Sequence, residues 1–309
     1  MSSILFVGDP HLDSVTPLSR LDNYRETTLA KLRDILSIAS AKRVKYVIMT
    51  GDVFDKLDQS LIYIHELLDI FNLFKENGIE IYTVVGNHDL KYNSFNYFNT
   101  TPLSLLFKTG AVKHLEILDI PEHNTRIYGV DFTKESILST YRLDKSVYNI
   151  VVVHYGLENT VPGESIPFKN LKKFNLVVAG HDHMAYPIHL YGNTTMLRPG
   201  SMTRRTKDEY NLTRDVSVYV VDLETKNMLA VPLPSARPAK DIFKYTSFIE
   251  APTNFFSSSY NELFAEDYFA KSVNSLTEMI DSLPPTVFES TKEAIYKYLK
   301  DNGLIKTTV

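Results

Sequence analysis

The sequence predicts an α/β protein, and two observations support this prediction. Over the first two thirds of the chain, short β-branched and aliphatic runs alternate with segments that repeat apolar residues at helical spacing. Several of the apolar runs end in clusters of Gly, Asp, Asn and His. Alternating strand and helix patterns are typical of parallel strands joined by helices that pack on the sheet.

The N-terminal part of the chain carries a βαβαβ pattern. Its strands are predicted at 4–7, 46–49 and 79–85, and its helices at 24–41 and 61–74. Both helical segments are amphipathic, because their apolar residues recur on one face. We therefore expect neighbouring parallel strands with helices on the sheet face.

The following part of the chain is richer in strands. They are predicted at 116–120, 126–130, 149–153, 176–179, 188–191, 195–197, 216–222 and 228–233. The last two are expected to form a hairpin, and three prolines between 232 and 238 indicate the end of the core. We predict a core domain at 1–235 and a small C-terminal region at 236–309, whose last helix is expected at 287–302.

The composition excludes several classes of site. The 309 residues contain no Cys, so any metal must be held by His, Asp, Glu or Asn. No basic segment precedes the first apolar run, and no stretch approaches about 18 apolar residues, so neither a signal peptide nor a membrane span is expected. These features suit a cytoplasmic protein, in the host cytoplasm if the source is viral. The net charge of −4 implies that DNA, if bound, meets a local patch or needs a partner.

Metal-ligand residue types follow five of the predicted strands. The clusters are Asp9-Pro10-His11, Gly51-Asp52, Gly86-Asn87-His88-Asp89, His154-Tyr155-Gly156 and Gly180-His181-Asp182-His183. Ligand sites in open α/β sheets form at strand ends. Carboxylate and amide oxygens with neutral imidazoles suit manganese, iron or zinc, and a carboxylate can bridge two cations. The glycines are expected to let the chain turn sharply off each strand.

The joint pattern is more specific than any single cluster, because a lone His is more often structural than a ligand. Of the nine His residues, five lie at predicted strand ends beside Gly, Asp or Asn. The other four lack this context and are expected to be structural: His65, His114, His123 and His189. The sequence therefore predicts a paired divalent-metal site.

The five clusters together resemble the ordered signature of calcineurin-like metallophosphoesterases, over roughly residues 1–230. The resemblance implies a four-layer α/β/β/α sandwich with two central sheets and a short, partly helical C-terminal appendage. It also implies two metal ions, most simply Mn2+, held by seven residues. One ion would be held by Asp9, His11 and His183, the other by Asn87, His154 and His181, and both by Asp52.

The same resemblance implies roles beside the metals. His88 would face the phosphate and protonate the departing oxygen or stabilise its charge. Asp89 is a candidate catalytic partner that orients His88. Asp55 has two alternatives: it orients a metal ligand, or it only caps a loop.

Within the superfamily, the chain resembles the SbcD-type nuclease subunit, and its compact size is similar to phage members. The segments that carry this resemblance are 9–13, 51–55 and 198–201. It implies a Mn-dependent DNA nuclease, a 3′-to-5′ exonuclease or a single-strand endonuclease or both, in DNA recombination, repair or replication. Its partner would be an SbcC-type coiled-coil ATPase, and a homodimer is an open alternative. The short stretch after residue 235 argues against a full DNA-capping domain.

Candidate DNA-contact residues follow the last His pair: Arg198, Arg204, Arg205, Lys207 and Arg214. These cations are suited to phosphates, and the alternative is a solvated segment whose charges are partly offset by Asp208, Glu209 and Asp215. Three aromatic residues past the third cluster either stack against bases or pack locally: Tyr92, Phe95 and Tyr97. In the tail, apolar residues at helical spacing either pack on the core or face the ATPase: Ile280, Leu283, Phe288, Ile295, Tyr296 and Leu299.

Two other functions share much of this pattern. A calcineurin-like hydrolase of small nucleotides or other phosphoesters would carry the same five clusters, and only the basic segment and the tail favour the nuclease. A non-catalytic scaffold of the same fold is disfavoured, because every expected ligand position is filled.

Overall fold

The computed structural model of the chain describes residues 3–158 and 160–244. The strands are β1 (Ser3–Val7), β2 (Tyr46–Met49), β3 (Glu80–Thr83), β4 (Lys113–His114), β5 (Ile117–Ile120), β6 (Thr125–Val130), β7 (Tyr148–Val153), β8 (Gly156–Leu157), β9 (Ser165–Ile166), β10 (Leu176–Ala179), β11 (Tyr186–Tyr191), β12 (Thr194–Arg198), β13 (Ser217–Asp222) and β14 (Met228–Pro232). The α-helices are α1 (Tyr24–Ala41), α2 (Leu61–Glu76), α3 (Pro102–Thr109), α4 (Phe168–Leu171), α5 (Glu209–Thr213) and α6 (Ala239–Ile242). Short 3-10 segments lie at Lys91–Asn93, Phe95–Thr100, Pro121–His123 and Glu135–Ser139.

The first six-stranded sheet has the order β14-β13-β1-β2-β3-β4. Strands β1 to β4 are parallel, so their carboxyl ends lie at one edge of the sheet. The predicted C-terminal hairpin is confirmed by β13 and β14, which pair antiparallel beside β1. The third strand ends earlier than predicted, at Thr83, because the N–H of Val85 donates to the Asp131 carboxylate (2.8 Å) and not to a neighbouring strand.

The second six-stranded sheet has the order β11-β12-β10-β7-β6-β5. Its four inner strands are parallel, and β11 and β5 are antiparallel edges. Strands β8 and β9 form a separate two-stranded parallel sheet. The carboxyl ends of β7 and β10 therefore point the same way along this second sheet.

The two sheets pack face to face, and the alternation of side chains along each strand builds the layers. In β1, Ile4 and Phe6 belong to a buried cluster with Ile150 and Val152 of β7, which lies between the sheets. The alternate residues of β1 belong to another cluster with α1 and α2 on the outer face. Burial on both faces explains why these strands are continuous apolar runs.

Helices flank the two mixed sheets, which confirms the predicted fold class. The α1 helix begins where the Asn23 side chain accepts from the Glu26 N–H, and α2 begins where Ser60 caps the Tyr63 N–H. The outer face of the second sheet packs against shorter pieces, among them α4 and the segment Glu135–Ser139. None of the described helices combines the length and apolarity that a bilayer crossing requires.

Residues past the predicted boundary at 235 still pack on the preceding part of the chain. Helix α6 buries Ala239 and Ile242, and Phe243 forms a β-bridge with Arg20. Residues up to 244 thus belong to the same compact unit as the preceding part of the chain. The predicted helix at 287–302 and the six apolar tail residues lie outside the described residues.

Candidate metal centre

The five polar clusters begin one to three residues after the ends of β1, β2, β3, β7 and β10, at the carboxyl ends of parallel strands. The loops that follow strands of both sheets thus contribute side chains to a single site. Within the described residues, three groups of potential ligands each have donor atoms within 4.8 Å of one another. These groups are Asp9, His11 and His183; His11, Asp52 and His88; and Asp52, His154 and His181.

The first group contains the residues predicted to hold one metal ion. Nε2 of His11 lies 2.8 Å from Nε2 of His183, although the two residues are 172 positions apart. Asp9 is buried beside them, and its Oδ1 accepts from the Thr50 hydroxyl (2.7 Å). The chain thus aims two imidazole nitrogens at a common point.

The third group contains His154 and His181, which are predicted to hold the other ion together with Asn87. Oδ1 of Asn87 lies 3.0 Å from Nε2 of His154 and 3.0 Å from Nδ1 of His181. Asp52 lies between the two predicted ligand sets, with Oδ1 3.3 Å from Nε2 of His154 and Oδ2 3.7 Å from Nε2 of His11. One carboxylate oxygen therefore faces each group, which is the arrangement that a bridging ligand needs.

The donor set fits a pair of divalent cations. It consists of imidazole nitrogens, carboxylates and one amide oxygen, a mixture that suits manganese, iron or zinc. The approach of the His11 and His183 nitrogens supports this fit, because two imidazoles directed at each other match a shared cation. The predicted ligands are thus brought together as two sets that share Asp52.

Hydrogen bonds fix which nitrogen of each ligand is free. His154 donates through Nδ1 to the Thr50 carbonyl (2.7 Å), which leaves Nε2 as the nitrogen that could bind a cation. His181 donates through Nε2 to Oε2 of Glu164 (2.7 Å), which leaves Nδ1. Neither partner was predicted from the sequence. Glu164 in particular belongs to no motif, so no sequence signal could have identified it.

The backbone conformation is unusual at three of the predicted site residues. His11, Asp52 and His181 adopt left-handed conformations, with φ of 46°, 47° and 75°. Non-glycine residues rarely do so, and such strain is typical of functional sites. A Cβ on Gly86 would lie 2.2 Å from Oδ1 of Asp52, so this glycine is needed for close approach to a ligand. Gly86 is thus required for space beside Asp52, whereas the sequence predicted that it allows a sharp turn.

His88 shares a group with His11 and Asp52 and is partly open to solvent. The backbone N–H of His88 donates to Oδ1 of Asp52 (2.8 Å). Its ring donates through Nδ1 to the Asp55 carbonyl (2.7 Å). The ring centroid is 5.0 Å from that of His11. Nε2 of His88 is thus left as the ring atom for a substrate.

Asp89 has a different role from the predicted one, since its carboxylate does not orient His88. It is fully buried and accepts from the N–H groups of Val53 (3.2 Å), Phe54 (3.1 Å) and Gly86 (3.0 Å). It therefore fastens the loop after β2 to the loop after β3. Burial, and then the charge of Asp52, raise the pKa of Asp89 to about 7.

Asp55 contacts two of the predicted site residues, His11 and His88, and also Arg205. Its Oδ1 lies 3.4 Å from Nδ1 of His11, 3.7 Å from Nδ1 of His88 and 2.5 Å from the Arg205 guanidinium. Of the two alternatives for Asp55, this geometry favours the first, in which Asp55 orients a predicted metal ligand. Although burial alone would raise the pKa of Asp55, His11 and Arg205 hold it below its usual value.

Three of the five predicted DNA contacts are buried, which corrects the prediction. Arg204 donates to the carbonyls of Arg237 (2.7 Å) and Arg214 (2.5 Å), and Arg214 to those of Ser201 and Thr203 (both 2.7 Å). Arg198 pairs with Asp182. The segment around them is irregular, so these guanidiniums satisfy backbone carbonyls or an acidic side chain and are not available to phosphates. Arg205 lies at the metal centre, and Lys207 donates to the Lys244 carbonyl (3.0 Å).

The aromatic residues after the third cluster separate into two kinds. Phe95 packs on the core and against Phe98. Tyr92 and Tyr97 are 77% and 47% exposed, and their rings meet edge to face with centroids 5.6 Å apart. Base stacking therefore remains a hypothesis for the two tyrosines only.

Opposing charges balance in the buried centre. Burial raises the pKa of Asp52, but the charges of His154 and His11 hold it well below its usual range. Burial lowers the pKa of His154, but the Asp52 and Asp9 carboxylates outweigh this and raise it to about 10. Buried carboxylates thus draw positive charge to the site, and a cation bound there would release the His154 proton.

Comparison with known proteins places the chain among phosphoesterases. The model of a family described as calcineurin-like phosphoesterase matches residues 2–185, more than half of the chain. One solved structure, TT1561 of Thermus thermophilus, superposes with a TM-score of 0.50 over 75% of this chain and 99% of that one. At 12% identity this likeness concerns the fold alone.

Curated relatives are similar at low identity. A DNA double-strand break repair protein Mre11 from Nanoarchaeum equitans is 22% identical over 99% of this chain and 86% of its own length. A double-strand break repair protein MRE11 from Encephalitozoon cuniculi is 25% identical over 76% of this chain, and a metallophosphoesterase, YhaO, from Bacillus subtilis is 30% identical over 59%. The chain spans about half the length of these last two, 48% and 47%.

Proposed function

Because this chain belongs to the calcineurin-like phosphoesterase family, and is thus a hydrolase of phosphoesters, we propose that its substrate is the phosphodiester backbone of DNA. It acts as a Mn2+-dependent nuclease, a 3′-to-5′ exonuclease or a single-strand endonuclease or both. The observation that carries the DNA assignment is the alignment, over nearly the whole chain, with a relative named for DNA double-strand break repair.

Two sets of residues hold the cations in this proposal. Asp9, His11 and His183 form one set, and Asn87, His154 and His181 the other, with Asp52 common to both. When bound, divalent cations neutralise phosphate oxygens and lower the pKa of the attacking water. The oxygen-and-nitrogen donor set is compatible with manganese.

The chain's own residues supply the rest of the chemistry. His88 is partly exposed beside the first set, and its Nδ1–H is committed to the Asp55 carbonyl (2.7 Å). Its Nε2 is the atom that protonates the departing oxygen or stabilises its charge. Asp55 contacts His11 and Arg205 and holds both side chains in position. The Arg205 cation neutralises a phosphate next to the scissile bond.

Partners follow from the same proposal. Arg205, Lys207 and the exposed Tyr92 and Tyr97 contact the DNA, and the C-terminal region binds an SbcC-type coiled-coil ATPase. The complex acts in DNA recombination, repair or replication in the cytoplasm, with a homodimer as an open alternative. The relatives are named as DNA repair proteins, which supports this context.

The test is a nuclease assay on the purified chain. Duplex DNA and single-stranded DNA, each labelled at the 5′ end, are incubated with Mn2+ and with wild type, Asp52→Ala or His88→Ala protein. We expect metal-dependent shortening from the 3′ end, or internal cuts in single strands, that both variants lose. Equal cleavage by the variants would indicate a contaminant and overturn the proposal.

The same preparation separates the rival functions. Rapid hydrolysis of a small phosphodiester without cleavage of any DNA would identify a small-substrate hydrolase. Hydrolysis of neither substrate, together with no binding of Mn2+ under anaerobic conditions, would identify a scaffold.

A further inference from the structure

Glu164 contacts the metal centre although no metal-ligand motif includes it. Its Oε2 accepts the Nε2–H of His181 at 2.7 Å, while Nδ1 of the same ring lies 3.0 Å from Oδ1 of Asn87. The carboxylate thus lies on the side of the imidazole opposite the second ligand set. Glu164 is outside the three groups of potential ligands.

The local chain is shaped to bring Glu164 to this position. Glu164 directly precedes β9, and its carbonyl accepts the N–H of Gly156 (3.0 Å), two residues after the ligand His154. A Cβ on Gly156 would lie 2.6 Å from Oγ of Ser165 and 2.9 Å from Oγ1 of Thr160. The glycine therefore allows the turn that carries Glu164 to pack against the segment that follows β7 and contains His154.

We infer that Glu164 is a positioning residue for the second metal ion, because it orients His181 and makes its Nδ1 a stronger donor. A carboxylate that accepts one imidazole N–H fixes the tautomer and raises the basicity of the other nitrogen. The two imidazoles of this ligand set then differ in the group that accepts their other N–H. His154 is held by the uncharged Thr50 carbonyl, and His181 by a carboxylate.

This assignment concerns one of the two metal ions only. His11 of the first set lies 3.4 Å from Asp55, which in turn pairs with Arg205. Within the described residues, Glu164 pairs with His181 and contacts neither Asp55 nor Arg205. Loss of an outer carboxylate of this kind typically costs about 10-fold to 100-fold in metal affinity. The inference rests on the metal centre and is independent of whether DNA is the substrate.

The experiment is a titration of metal-free protein with Mn2+, followed by calorimetry. We expect Glu164→Ala to weaken one binding event about 10-fold to 100-fold and to leave the other within error of wild type. Glu164→Gln keeps an acceptor oxygen but loses the charge, so a smaller loss is expected. His181→Ala should weaken the same event, and adding Glu164→Ala to it should cause little further loss.

A matched control comes from the same segment. Glu158 accepts the backbone N–H of Phe168 (2.6 Å) and contacts no proposed ligand, so Glu158→Gln should bind both ions as wild type does. Unchanged binding in Glu164→Ala overturns the inference. Equal weakening of both events also overturns it, because this would show a general structural defect. Thermal unfolding of the metal-free variants checks that they are folded.

Discussion

The guanidinium of Arg205 lies 2.5 Å from Oδ1 of Asp55, and the same carboxylate oxygen lies 3.4 Å from Nδ1 of His11. A residue that the sequence places in a basic segment is thus part of the metal centre. Its side chain is 26% exposed, so the cation remains accessible to a bound phosphate. Of the five cations predicted to contact DNA, Arg205 lies at the metal centre and supports the proposed function most directly.

Arg205→Gln should weaken DNA binding about equally for all sequences and lower the slope of log affinity against log salt by about one, because one phosphate contact is lost. Binding would be measured in the His88→Ala background, in which cleavage does not interfere. Arg33→Gln, at an exposed position of α1, is the control. An unchanged slope would exclude a direct phosphate contact.

Asp52→Asn should weaken both Mn2+ binding events, because one oxygen of Asp52 faces each ligand set. His181→Ala should weaken only one event. Calorimetric titration of metal-free protein distinguishes the two patterns. If Asp52→Asn affects a single event, Asp52 does not bridge.

His88→Gln should lower kcat about 100-fold to 10,000-fold while both metal ions still bind, because the ring is proposed to transfer a proton and not to hold a cation. Single-turnover cleavage and a parallel metal titration provide the two readouts. Loss of a metal ion in this variant would instead make His88 a ligand, which its place in the group with His11 and Asp52 would explain.

Asp89→Ala should destabilise the protein by about 3 kcal/mol or more, even without metal, because it leaves three buried N–H groups unpaired. Urea unfolding of metal-free protein measures this loss. Asp58→Ala, at an exposed position of the neighbouring loop, should have little effect. A stable Asp89→Ala protein that is only slow in catalysis would restore the predicted catalytic role.

His114 should make stability depend on pH. Burial lowers the pKa of His114, but Asp131, with an oxygen 2.9 Å from Nε2, outweighs burial and raises it. A raised histidine pKa stabilises the fold fully below the unfolded value of about 6.5, and this contribution disappears as pH rises through the folded value. The free energy of unfolding lost in His114→Gln should therefore be larger at about pH 6 than at about pH 9. His65→Gln, on the exposed face of α2, is the control, and a pH-independent difference would contradict the prediction.

Local patterns were sufficient for the fold class and for the elements that build it. The helical spacing at 24–41 corresponds to α1, and the apolar run at 46–49 corresponds to β2, because both patterns reflect burial on defined faces. The shortened third strand shows the limit of such patterns. Val84 and Val85 are buried like strand residues, but the N–H of Val85 bonds to a side chain that is distant in sequence.

The sequence by itself determined the family, the fold class and the set of metal-ligand residue types, since each is written in short motifs that end parallel strands. Only the tertiary structure decided what each charged group contacts. It buried Arg198, Arg204 and Arg214, turned Asp89 to backbone N–H groups and brought Glu164 to His181. The physical reason is that a hydrogen bond or ion pair depends on distances of about 3 Å between residues far apart in the chain, and side-chain periodicity does not encode those distances.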